Sequence, residues 1–386
     1  MINEISIHNF KSIVNLDLDL GRFNVIIGPN GCGKSNILEA ISFASAAAQN
    51  KLDYEYLVNR DVRMAEPQFM VNAFEDSEEE TSVSDLDIRI GVRNGENLIV
   101  SRVLYHEELK DWINVTDPVY RGIQFLLSHP DELGEDRDGF VKAIIDTNFP
   151  GIKDVKEVKQ LLGKLTKSSH ELNNFLTYRP TEHFLRKTFE TSIFPLGVHG
   201  EGLLKYLKVA TTEKDLRLFE EINVGLSLLD WFDGFQVPDD LLTNEYRLSI
   251  GDRFLKDSLH YFDEKSTNEG FLFLLFYLTL FNSKDTPRFF AIDNIESALN
   301  PKLMTKLTDY LVGRAFANDK QVIVTTHSPF VLDALDLSND DVRLFVARRN
   351  IDGHTRLERI PYREDRTMKL SQLWMSGLIG GLPDNF

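Results

Sequence analysis

Gly28-Pro29-Asn30-Gly31-Cys32-Gly33-Lys34-Ser35 sets glycines, a lysine and a hydroxyl at the spacing G-x-x-x-x-G-K-[ST], a layout that suits a bound polyphosphate. Glycines let consecutive backbone N–H groups turn inward around phosphate oxygens. A helix starting at the end of the loop adds a partial positive charge at its N-terminus. Lys34 then reaches the β- and γ-phosphates, and the Ser35 hydroxyl can ligate magnesium. Candidate contacts to ATP run through Asn30, Gly31, Cys32, Gly33, Lys34, Ser35 and Asn36.

A second candidate lies far along the chain. Arg288-Phe289-Phe290-Ala291-Ile292-Asp293 reads as an apolar strand ending in a carboxylate. Beside a phosphate loop, such a carboxylate would hold Mg2+ directly or through water; alone, it reads equally well as a turn Asp. Gln321-Val322-Ile323-Val324-Thr325-Thr326-His327-Ser328-Pro329 is another apolar strand with a polar end. Ser266-Thr267-Asn268-Glu269-Gly270 opens the apolar run 271–281. By itself that start is an ordinary helix cap, with Ser or Asn accepting from the first turn.

The elements that must position these residues follow from periodicity. Residues 2–27 read as strands: Ile5, Ile7 and Phe10 share a face, and Leu16, Leu18 and Leu20 alternate with Asp17 and Asp19. Phe23–Ile27 is a short apolar strand leading into the glycine loop, and a helix is expected from about Ser35 to Ala48. Residues 68–104 read as strands again, with the acidic run 76–80 as a solvated loop. From 118 to 240 the spacing turns helical, as in Val155–Leu162. No heptad persists over several turns, so a long coiled coil is not expected. Residues 245–345 alternate helix and strand. The organisation expected is one discontinuous α/β domain: an N-terminal half over 1–117, a mainly helical insertion over 118–240, and a C-terminal half over 241–386.

Composition narrows the class. With 42% hydrophobic residues, the 386-residue chain can bury a sizeable core. The one cysteine, Cys32, supports neither a disulfide framework nor a zinc cluster and fits a reducing cytoplasm. The first residues lack the layout of a secretion signal. The run 271–281 is far shorter than the ~20 residues that span a bilayer, so no membrane partner is expected. A net charge of −17 disfavours a protein that grips DNA alone by its phosphates.

The order of these motifs resembles ABC-type P-loop ATPases of the SMC, RecF and OLD group over nearly the whole chain. The opening Ile7-His8-Asn9-Phe10-Lys11-Ser12-Ile13 is also similar to that group's first strand. The resemblance implies an α/β head, with a mixed core sheet, flanking helices and an antiparallel β-lobe, carrying the helical insertion. Lys11 would lie near the α-phosphate, and Asp293 would hold the metal. Ser266, Asn268 and Gly270 would act as a signature loop that completes the site of an opposing head. Asn300 would sit at that subunit contact, His327 near the γ-phosphate, and Gln68 is a candidate for the loop coupling the lobes. A homodimer or higher homo-oligomer follows, because each composite site needs two heads.

One departure affects chemistry. The residue after the metal Asp, usually Glu in this group, is Asn294. An amide can hold a water but cannot take its proton. That loss is worth about 10²–10⁴-fold in the chemical step, and Glu296 is the nearest substitute. Slow hydrolysis is therefore expected, with nucleotide acting as dimer glue and sensor. The segments Phe194–Gly202 and Leu370–Trp374 resemble ATPases of anti-phage defence operons, most of all the ATPase subunit of the Septu system. That resemblance implies a separate HNH nuclease subunit and nucleic acid contacted through the complex. Asp333, Asp340, Asp341 and Asp352 do not form the acidic pattern of an in-chain OLD nuclease. A RecF-like DNA clamp and a non-hydrolysing nucleotide-gated scaffold are the competing readings.

Overall fold

A computed structural model describes residues 1–74, 86–115, 171–187, 193–238, 241–242, 245–256, 259 and 261–382. The chain opens with an antiparallel hairpin, β1 (Glu4–Phe10) and β2 (Ile13–Asp19), with Lys11 at a positive φ in its turn. β3 (Phe23–Ile27) follows, and the glycine loop leads from it into helix α1 (Lys34–Ala48). β4 (Asp87–Asn94), β5 (Asn97–His106) and β6 (Asp111–Asn114) extend the hairpin into a five-stranded antiparallel lobe of order β2-β1-β4-β5-β6.

The second sheet carries the motifs. Its further strands are β7 (Thr177–Tyr178), β10 (Phe289–Ile292), β11 (Gln321–Thr325), β12 (Val342–Arg349) and β13 (Thr355–Ile360). They assemble with β3 in the order β13-β12-β3-β11-β10-β7, parallel except for the β12–β13 pair. A two-stranded ribbon, β8 (Phe232–Gln236) with β9 (Ser249–Asp252), lies outside both sheets. Helices α2 (Leu203–Thr212), α3 (Leu216–Leu226), α4 (Glu269–Asn282) and α5 (Pro301–Ala317) complete the larger elements.

Every residue of β3, β10 and β11 is buried, as expected of parallel strands covered on both faces. Alternate side chains enter different cores. Val25, Ile27, Phe290, Ile292, Val322 and Val324 face a cluster built on α4 and the helices around it. Ile26, Phe289, Ala291 and Ile323 face α1 and the inner side of the β-lobe. The central sheet is thus held between two apolar masses, which fixes the ends of β3, β10 and β11 relative to one another. The mixed α/β architecture expected from the motif order is the one observed, and α1 and α4 fall where the apolar runs place them.

Two local expectations differ. Pro67–Met70 is a helical turn rather than the start of a strand; proline at a first helical position presets φ and gives up an N–H that needs no partner there. Within the span read as a helical insertion, Thr177–Tyr178 adds an edge to the central sheet, pairing with Ala291–Ile292. A two-residue strand shows no period-2 pattern to detect. The helix expected at 155–162 and the acidic run 76–80 lie outside the described residues.

The aromatic ring of Phe276 on α4 packs 5.7 Å from that of Tyr178 on β7 and 5.8 Å from Tyr277, and is fully buried. Phe276→Ala should lower the unfolding free energy by about 3–5 kcal/mol, read by urea denaturation.

Candidate nucleotide and metal site

The site forms along the carboxyl ends of β3, β10 and β11, the edge at which open α/β sheets bind ligands. Gly28, Gly31 and Gly33 all take positive φ in the loop after β3. Two of these positions also have no room for a side chain. A Cβ on Gly28 would lie 2.3 Å from the Ala347 carbonyl oxygen, and one on Gly33 would lie 2.1 Å from Thr355 Oγ1. Thr355 supports the loop, its hydroxyl donating to the Cys32 carbonyl at 3.0 Å, and Arg349 Nε donates to Gly31 O at 2.8 Å. The loop is therefore braced from behind by β12 and β13. Asn30 and Gly31 are exposed at its tip, whereas Cys32 and Gly33 are buried. Burial pushes the Cys32 thiol up, away from thiolate.

Lys34 is 6% exposed, and its ammonium donates to the carbonyls of Gly28 (2.8 Å) and Pro29 (3.1 Å). Burial pulls its pKa below the usual lysine range against the raising pull of Cys32, Asp293 and Glu296. Ser35 Oγ donates to Asp293 Oδ2 at 3.0 Å, joining positions 258 residues apart. Asp293 is 2% exposed, and its backbone N–H donates to Tyr178 O at 2.9 Å. Its other oxygen, Oδ1, accepts from the Thr325 hydroxyl at the end of β11. Arg179, just beyond β7, donates to Oδ2. Burial alone would raise this carboxyl's pKa; the Thr325 hydroxyl, Arg179 and Ser35 together hold it below the usual carboxylate range.

The segment after Asp293 turns at once. Asn294 adopts a left-handed φ of 56°, and its N–H donates to Thr325 Oγ1 at 3.0 Å. Asparagine tolerates that conformation better than most residues do. Glu296 points to the β11 end, accepting from Thr326 Oγ1 (2.7 Å) and from the His327 N–H (2.8 Å). Partial burial and then the charge of Lys34 hold the His327 imidazole below the usual range.

The remaining candidates sit further out. Lys11 Nζ donates to Glu39 on α1 and to the Arg63 carbonyl at 2.7 Å, so its charge is balanced beside the second turn of α1. Asn36 donates to Ser12 Oγ at 2.7 Å and accepts from Arg63. Asn268 caps α4, accepting from the Phe271 N–H at 2.9 Å, while Ser266 bonds to Asp263. A Cβ on Gly270 would lie 3.2 Å from Ala298 O, so this turn packs against the segment that follows Asp293. Asn300 caps α5 and is exposed. Gln68 is exposed, its amide donating to Glu66.

Sequence reading missed Arg179, Asp61 and the grip of Thr325 on Asp293. Arg179 follows a two-residue strand, so nothing in its local spacing marks it. Thr325 stood within the quoted motif, and only the β10–β11 pairing aims its hydroxyl at Asp293.

The glycine cradle, the buried lysine and a serine hydroxyl within hydrogen-bond reach of a buried carboxylate fit a magnesium nucleoside triphosphate. Fold and site together define a P-loop ATPase domain. The chain belongs to the family described as "AAA domain, putative AbiEii toxin, Type IV TA system", whose model matches residues 23–333. Among curated proteins it is similar to an "ATP/GTP phosphatase" of Helicobacter pylori, 22% identical over 356 residues, covering 87% of this chain and 88% of that one. A shorter stretch of 43 residues is 51% identical to "Chromosome partition protein Smc" of Methanocaldococcus jannaschii, covering 11% of this chain and 4% of that protein. A solved Smc head bound to the C-winged helix domain of ScpA superposes with a TM-score of 0.56 at 14% identity, covering 93% of this chain and 98% of that one. The Smc head of Pyrococcus furiosus with an extended coiled coil, bound to the C-terminal domain of ScpA, gives 0.50 at 14% identity, covering 93% and 96%. At these identities the likeness shows the fold. Among the described residues no helix is long and apolar enough to cross a membrane.

Thr325→Val keeps the β-branched shape and removes a hydroxyl that stabilises ionised Asp293. A depressed carboxyl pKa supports folding and metal binding above the ordinary carboxylate range and loses both as pH falls through the folded value. In the variant, the acid limb of magnesium-dependent nucleotide binding should therefore move to higher pH, read by titrating a fluorescent ATP analogue across pH.

Proposed function

We propose that this chain binds ATP with Mg2+, closes as a pair of heads around it, and hydrolyses it slowly to control a separate effector in anti-phage defence. The observation that carries the reading is the 3.0 Å contact between Ser35 and Asp293 beside buried Lys34. Ser35 and Asp293 would hold the metal, which when bound neutralises phosphate charge. The glycine loop and α1 N-terminus cradle the phosphates, with Lys34 leaving its loop carbonyls for the β- and γ-phosphates.

Asn294 and Glu296 set the expected rate. The Asn294 amide can hold the attacking water in place but cannot accept its proton. Glu296 has a carboxylate, but both oxygens hold the β11 end. That engagement supports a role in placing His327 by the γ-phosphate rather than as general base. Ser266 and Asn268 are exposed at the start of α4, with Gly270 beside them, and a helix N-terminus of this kind favours phosphate, which supports a role toward the γ-phosphate of an opposing head. Ser266, Asn268 and Gly270 thus serve the partner's nucleotide, with Asn300 at the contact, in a homodimer or larger homo-oligomer.

The effector is an HNH-type nuclease carried on another chain, with nucleic acid met through the complex in the cytoplasm. The net charge of −17 supports a protein partner over direct capture of DNA phosphates.

Asn294→Glu supplies the missing base. Turnover should rise by about 10²-fold or more in a phosphate-release assay; turnover equal to or below wild type contradicts the slow-hydrolysis account.

A further inference from the structure

The proposed metal carboxylate already has a cation on it. Arg179 Nη2 donates to Asp293 Oδ2, the same oxygen that accepts from Ser35. Its Nη1 lies 3.3 Å from Asp61 Oδ2, within ion-pair distance. Nε is buried and has no hydrogen-bond partner among the described residues. The guanidinium therefore bridges two carboxylates distant in sequence, while Nε finds no acceptor among the described residues. An unfilled buried donor marks a side chain held by charge rather than by a complete set of hydrogen bonds.

The backbone around it is fixed. The Arg179 N–H donates to Val198 O at 2.7 Å, its carbonyl faces His199 Nδ1 at 3.3 Å, and the neighbouring Tyr178 carbonyl accepts from the Asp293 N–H. Any rearrangement must then come from the Arg179 side chain, of which about a third remains exposed (34%).

We propose that Arg179 is a built-in counter-cation that occupies the metal side of Asp293, so that a divalent ion and this guanidinium exclude one another at Oδ2. This rests on Asp293 being a metal ligand. A dication beside Ser35 and Asp293 would face a positive charge within a few ångströms, an arrangement disfavoured in a half-buried site. The guanidinium gives way and stays balanced by Asp61. Arg179 is thus a positioning residue. It keeps a buried carboxylate paired before the metal arrives, and only its side chain moves when the metal does.

The test uses the full-length protein and Mn2+, whose sharp solution EPR signal disappears on binding. Nucleotide-free Arg179→Gln should bind Mn2+ at least about ten-fold more tightly than wild type, the scale set by removing one nearby charge. Arg179→Lys should bind like wild type, and Arg179→Gln/Asp293→Asn should lose the gain. If the glutamine variant is unstable, Mn2+ should raise its melting temperature by more than it raises that of wild type. Asp61→Asn pushes in the opposite direction: with Arg179 left to Asp293 alone, Mn2+ should bind the ATP-loaded protein more weakly than in wild type. Unchanged or weaker Mn2+ binding in Arg179→Gln, or unchanged or tighter binding in Asp61→Asn, overturns the proposal. Wild type loaded with a non-hydrolysable ATP analogue separates the underlying reading, since failure to take up Mn2+ there would remove Asp293 as a metal ligand altogether.

Discussion

A carboxylate at the end of an inner strand of a parallel sheet is expensive to keep ionised. Asp293 stays ionised because side chains from distant parts of the chain converge on it: Ser35 from the helix after β3, Thr325 from the end of β11, and Arg179 from beyond β7. Each donor reaches its place through a strand pairing, so the site is a consequence of sheet order. Were β11 not between β3 and β10, the Thr325 hydroxyl would not reach Oδ1. The two apolar cores on either face of that sheet hold these strand ends in register. Packing of this kind sets position to within fractions of an ångström, which charge–charge contacts in solvent cannot do.

How much of this could be read from the residues alone varied with the range of the interactions involved. The glycine loop, its strand and its helix were legible because the motif is contiguous and each glycine has a local reason, positive φ and lack of room. The apolar strand ending in Asp293 and the buried helix α4 were legible from composition and length. Arg179 was not, because a two-residue edge strand leaves no periodic trace and its role exists only through pairing with β10. Pro67–Met70 was misread as extended because a four-residue helical turn lies below the length at which a 3.6 period can show. The separation of β1 and β2 into one sheet and β3 into another was likewise invisible, since all three alternate or run apolar in the same way.

The contacts of Glu296 and Asn294 bear on how such a site would run. Glu296 spends both carboxylate oxygens on Thr326 and His327, and Asn294 is pinned by its backbone in a left-handed turn. The same contacts tie the β11 end rigidly to the segment carrying Ala298, against which the start of α4 packs. A few hydrogen bonds thus join the end of β11, the turn after Asp293 and the start of α4 into one unit.

The account depends on Lys34 and Asp293 serving one magnesium-bound triphosphate. Titrating a fluorescent ATP analogue with and without Mg2+ into wild type, Lys34→Ala and Asp293→Asn tests this most directly. The predicted result is that Mg2+ tightens binding to wild type, that Asp293→Asn keeps metal-free affinity but loses the enhancement, and that Lys34→Ala binds poorly in both conditions. Wild type without nucleotide affinity, or a full magnesium enhancement surviving in Asp293→Asn, would contradict it.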